Sequence, residues 1–271
     1  MVSTSPPQPP GNAVAAGAAL SVAASLGPFF CWEGWSPGGG WRPLTDLDDP
    51  DVIAKRVDSA RVLLCDRFQL PAGAVPPRVV ASVLFLGIAA RLISPVLGAA
   101  VVGEVLPVPR RDGLWWRPVD GGPLPVAYAD PVGLPTADLD GGAVGAALHA
   151  TAVTGVVAPL LEVFRGRFRL SPQVLWGNVA STLAGAAGML AEARPEHAER
   201  AGRVLERVLD LAPLAGAGSV VRPDPARARR FLVRRNCCLY YRIPGGGTCA
   251  DCVLTPPAER SRHWRTVLDA G

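Results

Sequence analysis

Four of the six cysteines of this 271-residue chain fall inside sixteen residues, in the string Arg234-Arg235-Asn236-Cys237-Cys238-Leu239-Tyr240-Tyr241-Arg242-Ile243-Pro244-Gly245-Gly246-Gly247-Thr248-Cys249-Ala250-Asp251-Cys252. Sulfurs this close must share one local structure, and the rest of the chain has to support it. Four cysteine ligands are the usual demand of an iron–sulfur cluster, for both [2Fe–2S] and [4Fe–4S]. The Pro244-Gly245-Gly246-Gly247 segment suits that use, because glycine lets the backbone approach sulfur closely enough for amide N–H groups to bond to it. A structural zinc competes, since Cys249-x-x-Cys252 has the ordinary knuckle spacing. Adjacent Cys237-Cys238 matches the zinc hook poorly, whereas a two-iron cluster is wider and accepts sulfurs that point apart. Unligated thiols are a third reading. Cys31 and Cys65 stand outside the group and read as small hydrophobes.

The chain is long enough to build a core without staples, and 49% apolar against 18% charged residues excludes wholesale disorder. Much of the apolar fraction is Ala and Val, with 30 Gly and 28 Pro, so the mean hydropathy of +0.25 overstates the hydrophobicity. Residues 141–161 carry no formal charge and are about as long as the roughly 20 residues a bilayer span requires. They also hold His149, Thr151, Thr154 and Pro159 amid Gly and Ala, which favours a buried helix over a span. Residues 1–32 lack the positive start of a secretory signal, and 1–12 read as a disordered polar leader. The expected location is therefore the reducing cytoplasm, where the cysteines are not three disulfides. Residues 221–271 hold ten arginines against four acids, a net of +6, while the first 220 residues sum to −2. A basic segment of this kind serves an acidic partner or an anionic ligand; no nucleic-acid motif accompanies it, and none is expected as partner.

The periodicities predict a mainly α fold: a helical body over 13–220, a small antiparallel β segment at about 104–128, and a cysteine-rich cluster-binding segment over 221–271. Asp49-Pro50 caps a helix to about 66, and Pro76-Pro77 opens a core helix to about Val102 with a break or kink at Pro95. Further helices are expected at 139–166, 172–192 behind Ser171-Pro172, and 195–212. The Gly/Pro-rich stretch Gly216–Pro225 reads as a linker.

The pattern Cys-Cys-x10-Cys-x2-Cys resembles the hallmark of the FhuF family of ferric-siderophore reductases. The arginines before the pair, Leu239-Tyr240-Tyr241-Arg242 after it, and Leu175-Trp176-Gly177-Asn178 upstream fit the family as well. The specific likeness covers about 172–256, and Val253 stands where many members have proline. The resemblance implies an oxidoreductase of iron homeostasis in which Cys237, Cys238, Cys249 and Cys252 ligate a [2Fe–2S] cluster. It would pass one electron to Fe(III) in an imported chelate, a siderophore of the hydroxamate type. No acid or base residue is required. An external electron-donor protein must recharge the cluster, because no G-x-G-x-x-G behind a strand marks a nucleotide domain. Peripheral contact with the inner membrane face, without spanning it, is compatible with this reading. Two other classes stay open: a [2Fe–2S] redox or iron sensor or electron carrier, and a zinc-stabilised, non-catalytic binding module.

Around the cysteines, Arg234, Arg235 and Arg242 can stabilise a reduced, strongly negative cluster or form an ordinary solvated surface. Asn178, Ser181 and Thr182 share a helix face and, with Trp176, are candidates for substrate or cluster contact, against the plainer reading of a buried, satisfied Asn. Trp32, Trp35, Trp41, Trp115 and Trp116 either wall a pocket for a large chelate or anchor the core. His149, His197 and His263 have no metal spacing.

Overall fold

The computed structural model describes residues 13–269, so the expected leader lies outside the described residues. In chain order the elements are β1 (Val14–Ala15), α1 (Gly17–Ala24), β2 (Glu33–Gly34), β3 (Arg42–Pro43), α2 (Pro50–Arg67), α3 (Pro77–Val101), β4 (Val105–Pro107), β5 (Leu114–Trp116), β6 (Val126–Tyr128) and β7 (Val132–Pro135). Then come α4 (Gly141–Leu148), which continues through a π-helical stretch (His149–Val157) into α5 (Ala158–Phe168), followed by α6 (Pro172–Ala193), α7 (Ala198–Leu209), β8 (Gly218–Val221), β9 (Phe231–Arg234) and α8 (Pro257–Asp269). The fold is mainly helical, with small sheets at its edges.

The starts of the helices follow from their caps. The Asp49 carboxylate accepts the Asp51 N–H at 2.8 Å ahead of Pro50, Asp140 accepts the Ala143 N–H at 2.7 Å, and Ser171 faces the Val174 N–H ahead of Pro172. The axis of the body is α3, which packs most extensively on α6 and is buried for most of its length. Three helical runs, Pro77–Val101, Gly141–Phe168 and Pro172–Ala193, are long and apolar enough to cross a membrane, but 56–72% of the most apolar stretch of each is buried inside the protein.

The helix runs through Pro95 without the expected break. Proline frees the carbonyl four residues back, which is that of Arg91, and the Trp32 indole N–H donates to that oxygen at 2.7 Å. Arg91 in turn is buried and donates to the carbonyls of Leu124 at 2.7 Å and Cys31 at 2.6 Å, and to that of Pro28. The tryptophan-rich loop is thereby pinned to the middle of the core helix.

The β region also differs from the expectation. Strands β4, β5 and β6 lie within 104–128 but belong to two sheets, ordered β1-β7-β4 and β2-β6-β5-β3, with β2 and β6 parallel and the other pairs antiparallel. Their partners are two-residue strands at 14–15, 33–34 and 42–43, and the four-residue β7, too short to show a period. The expected linker at 216–225 contains β8, which pairs antiparallel with β9 from Gly218↔Arg234 to Val221↔Phe231. This ribbon is clamped to α7 by Arg230, whose side chain is 7% exposed and donates to Glu206 at 2.6 Å and Glu199 at 2.9 Å. Only glycine fits beneath that guanidinium, because a Cβ on Gly202 would lie 2.0 Å from Arg230 Nη1.

Replacing Gly202 with Ala should therefore lower stability by about 1–3 kcal/mol through overpacking, read as a fall in the thermal midpoint. Gly185→Ala on α6, where a Cβ meets nothing within 4 Å, should instead raise stability by about 0.5–1 kcal/mol.

Candidate metal centre

The cysteine loop hangs from the end of β9. Its first residue, Arg234, is 1% exposed, and its backbone N–H reaches the Asp251 carbonyl at 3.2 Å, drawing the two ends of the loop together. The guanidinium donates from Nη2 to Asn178 Oδ1 at 2.7 Å and from Nε to the Asn236 carbonyl at 3.0 Å. Asn178 passes the connection on: its Nδ2 donates to the Ser82 carbonyl at 2.8 Å and to Ser82 Oγ at 3.0 Å. Ser82 Oγ donates to the Cys238 carbonyl at 2.8 Å. A buried chain of hydrogen bonds thus ties α3 and α6 to the first cysteine pair. Gly177 makes room for it, since a Cβ there would lie 2.9 Å from Arg234 Nη2. On the other side, Ser181 Oγ donates to the Asp251 carboxyl, between Cys249 and Cys252. Burial pushes the Asp251 carboxyl above its ordinary value, against the pull of Ser181 and of the Arg234 charge.

Local backbone geometry aims N–H groups at the sulfurs. Leu239 has φ +70°, and its N–H reaches Cys237 Sγ at 3.3 Å; the Leu254 N–H reaches Cys252 Sγ at 3.4 Å. The Tyr240 amide favours the charged form of the Cys238 sulfur. Gly245 and Gly247, at φ +79° and +72°, turn the chain back toward Cys249, a conformation L side chains adopt poorly. Cys249 and Cys238 meet at an Sγ–Sγ distance of 3.6 Å, and Cys237 feels the charges of both Cys238 and Cys252. The hydrogen bond from Cys249 lowers the Cys238 thiol to about 6, helped by Arg234, while the same bond, together with burial, raises Cys249. Burial also raises Cys237. Cys238 and Cys252 are buried; Cys237 and Cys249 are half-buried, at the edge of the loop.

This donor set fits an anionic, sulfur-rich group. Among the described residues no group of three or more Cys, His, Asp or Glu side chains converges on a one-ion site. The four sulfurs nevertheless share one loop, with amides directed at three of them. Arg234 Nη1 is buried without a partner, while the Arg234 charge bears on Cys237, Cys238 and Cys249. A buried guanidinium is costly unless negative charge lies beside it, and thiolates bound to a cluster supply that charge.

The remaining candidates separate clearly. Arg242 is exposed, with its guanidinium 5.7 Å from the Tyr241 ring centre, and is close enough to Cys237 to feel its charge. Arg235 is exposed on the ribbon, its guanidinium near Gly216. Asn178 is buried with its amide taken up by Ser82 and Arg234, so it positions Arg234 and has no polar atom left for a substrate. Thr182 bonds to the Leu86 carbonyl of α3, and Trp176 packs half-buried on the core. Trp32 and Trp116 are core anchors, and Trp35 stacks on Trp115 at 4.7 Å. His149 is held below its ordinary pKa by burial, and His263 lies in a small cleft with Asp251 and Trp264. Ser82 and Arg91 were not legible as site or scaffold residues; the only sign was an isolated polar residue in an otherwise apolar helix.

Comparison with known proteins agrees with this geometry at the loop itself. No curated protein matches the chain. Residues 234–254 match the FhuF 2Fe-2S C-terminal domain, beginning at Arg234 and spanning all four clustered cysteines. The matched segment, residues 234–254, is thus similar to a domain that holds a [2Fe–2S] cluster, and the cofactor it indicates is a [2Fe–2S] cluster.

Proposed function

We propose that this protein is a cytoplasmic ferric-siderophore reductase in which Cys237, Cys238, Cys249 and Cys252 ligate the cluster. The observation that carries the reading is the buried Arg234 guanidinium beside the thiol group, with Nη1 unpartnered. Positive charge at that depth favours an electron-rich state over its oxidised form. When bound, the cluster supplies one electron to Fe(III) held in a chelate. Siderophore oxygen ligands hold Fe(III), a hard ion, far better than Fe(II), so gain of that electron loosens the iron for release.

The chain's own residues have three tasks in this scheme. The network Arg234, Asn178, Ser82 holds the loop rigid, so that little reorganisation accompanies a change of charge. The amides of Leu239, Tyr240 and Leu254 stabilise negative sulfur. The half-buried Cys237 and Cys249, rimmed by exposed Tyr241, Val253 and Leu254, leave an edge at which a donor protein or a chelate can come close. Arg242 adds positive charge on that rim, suited to an acidic electron donor.

Serine replacement of each of the six cysteines, followed by visible absorption, tests the ligand set. Loss of the cluster band is expected for Cys237, Cys238, Cys249 and Cys252, and retention for Cys31 and Cys65. In a redox titration Arg234→Gln should lower the potential, because a buried positive charge is gone. A fall of about 59 mV is a tenfold shift in the one-electron equilibrium. Arg235→Gln, on the outer face of the ribbon, should leave the potential unchanged. Finally, anaerobically reduced protein mixed with ferric chelates should reoxidise at a rate that saturates with chelate concentration. A rate that rises linearly, with no preference among chelates matched for potential, would make the protein a general electron carrier.

A further inference from the structure

Between α2, α3 and the loop 118–124 lies a groove of about 660 Å³, within the range of small-molecule sites, roughly 300–1,000 Å³. Its walls are mainly apolar, with Leu63 and Leu64 of α2 facing Val83 and Leu84 of α3; Leu63 is 44% exposed. Four charged residues line it: Arg42, Lys55, Arg56 and Asp120. Arg42 is matched by Asp46 at 2.8 Å, outside the groove. Among the described residues neither Lys55 nor Arg56 has a carboxylate partner within 4.0 Å, so even with Asp120 set against them the lining keeps an excess of positive charge.

Two donors in this lining lack acceptors. Arg56 Nε is buried and unpartnered. Trp116 is 1% exposed, and its indole N–H also has no acceptor. The guanidinium of Arg56 stands 5.0 Å from the Trp116 ring centre, and that of Arg42 stands 5.2 Å from it. Unpaired buried donors are costly, and a ligand oxygen is their natural complement. The two helices that wall the groove also lead to the cysteine loop. Val83 and Leu84 directly follow Ser82, the residue bonded to Cys238. One turn beyond Leu64, about 5.4 Å along the helix, Phe68 faces the loop so closely that a Cβ on Gly245 would lie 3.6 Å from its ring.

We infer that this groove binds the chelate, and that it selects chelates of net negative charge with an apolar scaffold over neutral or cationic ones, in place of the hydroxamate type that the family resemblance implies. The anionic oxygens would meet Arg56, Lys55 and the Trp116 N–H, and the scaffold would cover Leu63, Leu64, Val83 and Leu84. The identification of the occupant as a ferric chelate rests on the reductase reading; the charge preference of the groove does not.

The test uses cluster-loaded protein and gallium(III) complexes, which copy the ferric ones but accept no electron, so binding is measured apart from reduction. By calorimetry, an anionic gallium tricatecholate should bind at least tenfold tighter than a cationic gallium trihydroxamate bearing a free amine. Arg56→Met should remove most of that preference, and Leu63→Glu, at an exposed wall position that tolerates a polar residue, should weaken the anionic complex about tenfold. Unchanged cluster absorption and thermal midpoint show that each variant is folded. Binding that ignores chelate charge, or that survives both substitutions, overturns the site. If gallium binding behaves as expected while ferric complexes fail to reoxidise the reduced protein, the anion site stands and the reductase reading falls. If ferric complexes reoxidise it saturably but both variants leave binding and rate unchanged, the reductase reading stands and the groove falls.

Discussion

A guanidinium removed from water has to find its counter-charge and its acceptors inside the protein, and Arg234 sets that demand for the whole C-terminal region. Its side chain takes Asn178 Oδ1 and the Asn236 carbonyl, and its backbone takes the Asp251 carbonyl. Each of those contacts fixes a different part: the α6 face, the start of the cysteine pair, and the return of the loop before Cys252. Without negative sulfur nearby, a cation at this depth would cost several kcal/mol and the network would not be worth forming. Cluster binding and folding of the loop are consequently linked, since the metal group provides the charge that makes the buried arginine tolerable.

The same linkage explains why α3 and α6 are packed so closely. Asn178 and Ser82 can exchange hydrogen bonds only if the two helices approach within side-chain reach, and Gly177 supplies the space for Arg234 between them. Apolar burial along α3 holds the helices together, while the polar chain at 178 and 82 sets their register. Pro95 is handled in a comparable way. The acceptor it frees on Arg91 is taken by Trp32, so a residue that normally ends a helix becomes the attachment point for the tryptophan loop.

What could be read from the sequence was what depends on short-range pattern. The helices that open on Pro50, Pro77 and Pro172, the mainly α fold and the cysteine grouping all follow from residues within a few positions of one another. The strands at 14–15, 33–34 and 42–43 leave no trace in the sequence because two residues have no period, and β8 reads as linker because a Gly-Ser-Val-Val strand beside prolines looks like one. At the site, the arginines before the pair were equivalent in sequence. Alternation along β9 places Arg234 inward and Arg235 outward, and only pairing with β8 decides which face is buried. Asn178 looked like a substrate residue because a polar side chain on an Ala/Leu helix is conspicuous, yet its partners, Ser82 and Arg234, lie 96 and 56 residues away.

The placement of Ser82 joins two functions that a sequence shows separately. One turn of α3 contributes a hydroxyl to the cysteine loop and two apolar side chains to the groove, so a ligand filling the groove presses on the helix that positions Cys238. In the proposed reductase, a rigid helix shared between the cluster and the groove would fix the separation of donor and acceptor without any moving part. Outer residues of the groove can then vary with the ligand taken, since none of its exposed wall residues touches the Arg234 network, while Arg234, Asn178 and Ser82 cannot change singly without stranding a buried polar group.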